Sequence, residues 1–127
     1  KAPELFPRII AISPNTLVSG TTDDSLRTFT TIYRVMGFFK RLGLPMQKYM
    51  RVLELMLKDI GLSDEDLKSI QTRVKIIYAE KDMIKEEHIL YIAGLIPGAE
   101  VEKIAYTTHM NIIRNAKAIE VMRDWLG

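Results

Sequence analysis

Apolar residues along this chain fall into two rhythms. Short runs rich in β-formers occur at 8–13, 74–78 and 101–106, and the segments between them repeat their apolar positions every three or four residues. Arg8 to Ser13 (RIIAIS), closed by Ser13-Pro14-Asn15, suits a strand buried on both faces of a parallel sheet. Lys1 to Phe6 reads as the tail of a helix entering a turn, and Thr16 to Thr22 as a polar connection. Thr22 or Asp23 can cap a first helix whose apolar positions are Leu26, Phe29, Ile32, Tyr33, Met36, Phe39 and Leu42, with Gly43 as its stop. Pro45 opens a second helix, striped by Met46, Tyr49, Met50, Leu53, Met56, Leu57 and Ile60 and ended by Gly61. Ser63 and Asp66 resemble a capping box for a short third helix through Ile70.

The closing part alternates. Val74 to Tyr78 predicts a strand that ends abruptly at Ala79-Glu80-Lys81-Asp82, and Lys85 to Leu95 a helix. After the turn Ile96 to Ala99 come a strand at Val101 to Tyr106 and a helix from Asn111 to Leu126. In that last helix Ile112, Ala116, Ile119, Met122 and Leu126 form the expected inward stripe, with Arg114, Lys117 and Asp124 opposite. Strand, helices, strand, helix, strand, helix is α/β order and implies three parallel strands with helices on their faces.

Composition narrows the function classes. The chain has 127 residues, 47% apolar and 27% charged, which suits one folded domain with a real core. A net charge of +2 is too small to argue for nucleic acid without a localised basic face. The absence of cysteine removes disulfides, thiolate metal sites and cysteine nucleophiles. No run of eighteen apolar residues would span a membrane, and no signal peptide is visible, so a cytoplasmic location is the expectation. The first residue is Lys1, without an initiator Met and inside an element, so a native start upstream is expected.

The chemistry concentrates on Asp82 and His109, each just after a strand. An acid so placed can hold a histidine in one tautomer and stabilise it when it is charged. Asp82 could equally cap the helix at Lys85, and His109 could be a surface histidine. Asn15 closes the first strand but is uncharged; Glu80, Glu86 and Glu87 read as solvated, and His88 beside them as without chemistry. No spacing of His88, His109 and nearby acids resembles a metal site. Lys40, Arg41, Lys48 and Arg51 read as a wet face, and the Met and aromatic stripes of the helical block as mostly core.

These residues carry a resemblance. V-K-I-I-Y-A-E-K-D, I-P-G-A-E-V-E-K-I and T-T-H-M look like the C-terminal half of the α/β-hydrolase superfamily. The resemblance puts Asp82 at the triad-acid position after the seventh strand and His109 at the triad-histidine position after the eighth. A-P-E-L-F-P-R-I-I-A-I-S-P is similar to the end of the helix behind the nucleophile and the sixth strand. It thus implies a partial α/β-hydrolase fold: core in residues 1–15, a helical lid insertion in 16–72, and the core carrying acid and histidine in 73–127. Two positions depart from the family pattern, Ala79 and Thr108, where glycine is frequent.

The nucleophile elbow G-x-S-x-G is missing. None of Ser13, Ser19, Ser25, Ser63 and Ser69 has that context, and the resemblance puts the serine about a dozen residues before Lys1. The expectation is the C-terminal portion of a serine hydrolase acting on a small-molecule acyl substrate (ester, thioester, lactone or amide) with no cofactor. Met side chains of a lid would also face the acyl group. Its partner would be the missing N-terminal half, or a second copy across an exposed strand edge. A non-catalytic α/β module binding a partner or apolar ligand through its helical block is the alternative.

Overall fold

The computed structural model describes residues 6–127. In chain order they form β1 (Arg8–Ile12), α1 (Asp23–Arg41), α2 (Gln47–Met56), α3 (Asp64–Lys68), β2 (Arg73–Lys81), α4 (Glu86–Leu95), β3 (Glu100–Thr108) and α5 (Ala116–Leu126). Short 3-10 turns, Val18–Gly20 and Ile112–Arg114, precede α1 and α5. The helix tail expected at 1–6 lies outside the described residues apart from Phe6, which is exposed.

The strands make one parallel sheet in the order β1-β2-β3. Parallel neighbours need a long crossover, supplied by the helical block between β1 and β2 and by α4 between β2 and β3. Alternate side chains of β2 then serve two cores. Val74, Ile76 and Tyr78 pack with Leu67 of α3 and Ile89 and Ile92 of α4. Ile77 and Ala79 pack on the other face with Ile104 of β3 and Ala118 and Val121 of α5. Ile76 and Ile77 are fully buried, each worth about 1.5–3 kcal/mol of transfer free energy. Replacing either by Ala leaves a cavity and costs about 2–5 kcal/mol.

Several boundaries differ from the sequence pattern, each for a local reason. β2 runs on to Lys81, because Lys81 pairs with Thr108 beyond a register shift. α2 stops at Met56 instead of reaching Gly61, since Asp59 accepts from Val18 N at 2.6 Å and Ile60 N donates to Thr16 O at 3.3 Å. Those bonds draw the chain back to the 16–18 connection. The closing helix begins at Ala116 and not Asn111, because the Asn115 side chain caps it by accepting from Lys117 N and Ala118 N. Its inward stripe is Ala118, Val121 and Trp125, with Met122 half-buried; Ala116, Ile119 and Leu126 are exposed. Trp125 donates from Nε1 to Ile9 O at 3.2 Å and lies under the Arg73 guanidinium, tying α5 to the start of the sheet.

The Ser63–Asp66 capping box forms as expected. The apolar stripes of α1 and α2, by contrast, are not core. Neither helix has a buried residue; they pack on each other, with Tyr33 donating to Glu54 at 2.8 Å, and leave Ile32, Phe39 and Tyr49 exposed. Among the described residues, no helix is long and apolar enough to cross a membrane.

Candidate active site

β2 delivers Asp82 one residue past its end, and the carboxylate is 3% exposed. Burying a charge is costly unless donors surround it, and four do. Oδ2 accepts from Ala79 N at 3.0 Å and from Ser13 Oγ at 2.5 Å. Oδ1 accepts from Ile84 N at 3.1 Å and from His109 Nδ1 at 2.8 Å. Burial raises the carboxyl pKa, but the hydrogen bonds from His109, Ser13, Ala79 and Ile84 outweigh it and bring the value down to about 2. An ionised carboxylate only accepts, so the proton of this hydrogen bond sits on Nδ1 of His109. The cap on α4 is Lys85, without a side-chain bond, so Asp82 does not serve as that helix's cap.

His109 reaches this position through an irregularity in β3. Ala79 pairs with Ile104 and Lys81 with Thr108, so two steps along β2 match four along β3. The extra residues include Tyr106 at φ 54, whose N donates to Glu80 Oε2 at 2.7 Å. Bulges of this kind re-aim the end of a strand. Asn111 N then closes a turn on Thr108 O at 3.0 Å, leaving the imidazole 29% exposed.

A cavity of about 280 Å³ opens beside the pair, lined by His109, Ser13, Leu17, Leu55, Met56 and Ile60 among others. A larger one, about 970 Å³, lies along Ala11, Val74, Ile76 and Ile92 on the α4 face of the sheet, and neither Asp82 nor His109 lines it.

No family model matches the sequence, and no curated protein matches it. Solved structures do. A carboxylesterase from Bacillus subtilis gives a TM-score of 0.61 at 17% identity, covering 98% of this chain and 53% of that one. A hydrolase from Oleispira antarctica gives 0.61 at 15% identity, with 99% and 59% covered. An α/β hydrolase enzyme from a metagenome of lagoon sediments at Mar Chica, Morocco, gives 0.57 at 15% identity, with 97% and 51% covered. This chain has the α/β-hydrolase fold. It spans between half and three-fifths of the length of these structures, and so forms part of that fold, three parallel strands with flanking helices.

Within the hydrolase fold the remaining candidates separate. Asn15 turns to Thr21, donating to its Oγ1 at 3.0 Å, and makes no bond to the pair. Glu80 and Glu86 are exposed but engaged, Glu80 by Tyr106 and Glu86 by Tyr78 Oη at 2.5 Å and Lys103 Nζ at 2.8 Å. Burial, then the Glu86 carboxylate, pushes the Tyr78 phenol up to about 12. His88 is buried, with Nε2 3.4 Å from Thr16 N and 3.3 Å from Thr16 Oγ1. Burial, then the Lys85 charge, lowers its pKa, which favours the neutral ring. Among the described residues no group of acids and histidines could hold a metal ion. Ser63 is in its capping box, and Ser69 Oγ donates to Asp66 O at 2.7 Å. Ser13 is the site residue that sequence reasoning missed. The only signal was its position at a strand end before Pro14, which does not say where its hydroxyl points.

Proposed function

We propose that this chain is the C-terminal part of a serine hydrolase, cleaving ester, thioester or amide bonds with a Ser-His-Asp triad whose serine belongs to the rest of the protein. The 2.8 Å contact between His109 Nδ1 and a buried, ionised Asp82 carries this reading. With Nδ1 committed to the acid, Nε2 is the basic nitrogen. It takes the serine proton as Oγ attacks the substrate carbonyl, and returns it to the leaving group as the carbonyl re-forms. The acyl-serine ester is then attacked by water, Nε2 again taking the proton and passing it to the serine oxygen as the acid product leaves. Asp82 stabilises the transient imidazolium throughout.

Residues 16–72 would serve as the lid. Leu17, Leu55, Met56 and Ile60 line the cavity beside His109, which favours an apolar acyl group. No cofactor enters these steps. A non-catalytic module has no comparable use for a saturated carboxylate against a half-exposed imidazole, so that reading is not favoured. The test is His109→Ala in the complete protein with an activated ester as substrate. A fall in kcat of about 10⁴-fold is expected; hydrolysis at the parent rate would sink the proposal.

A further inference from the structure

We propose that Ser13 is a positioning residue, locking the Asp82 carboxylate in the orientation that presents Oδ1 to His109. This rests on the reading of Asp82 and His109 as acid and base.

Ala79 N lies in β2 three residues before Asp82, and Ile84 N two residues after it, so both are donors local to Asp82 in the chain. His109 is the group to be oriented. Ser13 is the one donor that reaches Asp82 from β1, among the described residues, and it does so from a fixed point. It is buried, its own N donates to Ile77 O at 2.8 Å, and the next residue is Pro14, whose ring fixes its φ. Its φ of 45 lies in the left-handed region that a side chain disfavours. Continued extension would send the Ser13 side chain to the face shared by Ile9 and Ala11. The turn instead aims it across to the end of β2, where Oγ meets Oδ2.

The four donors fill the acceptor sites of the carboxylate, two to each oxygen, and so oppose its rotation. Without Ser13, Oδ2 keeps only the local bond from Ala79 N, and among the described residues no donor distant in the chain opposes rotation except His109 itself. The imidazole is then held less often at the angle the serine needs. Ser13 is not a nucleophile, because its proton is directed to the carboxylate and not to a ring nitrogen.

The experiment compares Ser13→Gly and Ser13→Ala with Asp82→Asn in the complete protein. Glycine accepts a φ of 45 freely, so Ser13→Gly deletes the hydroxyl and leaves the backbone. Both Ser13 variants are expected to lower kcat about tenfold with KM within about twofold of the parent. The low-field Nδ1 proton of His109 in the NMR spectrum should broaden as its carboxylate partner gains freedom. Parent-like kcat and an unchanged proton in both variants, while Asp82→Asn loses both, overturn the role of Ser13 alone, whatever happens to thermal stability. A parent-like Asp82→Asn overturns the acid–base reading and the proposal with it.

Discussion

Asp82 Oδ1 and His109 Nδ1 stand 2.8 Å apart, although 27 residues separate them in the chain. Two features of the fold close that gap. β2 and β3 are adjacent and parallel, so their ends emerge on one side of the sheet. The bulge at Tyr106 then lets β3 overrun β2 and turn His109 back toward the acid.

That contact has a consequence for stability against acid. The folded carboxyl pKa of Asp82 is about 2, below the ordinary 3.8. A depressed pKa means the unfolded chain takes up the proton first, so the stabilisation is complete above about pH 5 and lost as pH falls from about 4 toward 2. It amounts to something on the order of 2 kcal/mol. Urea unfolding of the parent and of Asp82→Asn should show the stability gap between them narrowing from pH 6 to pH 3. A constant gap would contradict the assigned role of the buried charge.

The element types and the Asp82–His109 pairing were legible in the sequence, because both depend on order along the chain. Strand and helix periods identify the elements, and successive parallel strands bring their C-terminal ends together. What escaped was set by contacts distant in sequence. Nothing near Asp59 says that its carboxylate takes Val18 N and ends α2 early. The stripe of α5 was misphased because Asn115 restarts the helix, moving burial from Ile119 and Leu126 to Ala118 and Trp125. The periodicity of α1 and α2 is real, but it predicts an apolar face without saying that the two helices pack on each other and bury no residue.

Two glycines should respond in opposite ways to alanine. A Cβ at Gly20 would overlap His88 Cδ2, a ring held between α4 and the 15–22 connection. Gly20→Ala should cost about 1–3 kcal/mol through overpacking. Gly94 is exposed in α4 with nothing within 4 Å of a Cβ, and Gly94→Ala should stabilise by roughly 0.5–1 kcal/mol. Thermal unfolding of both variants checks the pair; equal shifts would contradict the packing around His88.

The 127-residue chain made alone should associate. β1 is an edge strand with Ile9 40% exposed, and the 970 Å³ cavity runs beside it under Phe6, itself exposed. An unpaired apolar edge is a template for a further chain. Sedimentation velocity should show mass rising with concentration, or loss of material to aggregates, and added N-terminal half should suppress both. A stable monomer at high concentration would argue that the edge and cavity need no cover.

The central claim is that Asp82 and His109 act on a serine outside these residues. Treating the complete protein with a serine-directed fluorophosphonate and mapping the labelled peptide tests it most directly. The account predicts one labelled serine preceding Lys1, with labelling lost in His109→Ala. Label on Ser13, Ser19, Ser25, Ser63 or Ser69, or labelling that persists in His109→Ala, would contradict it.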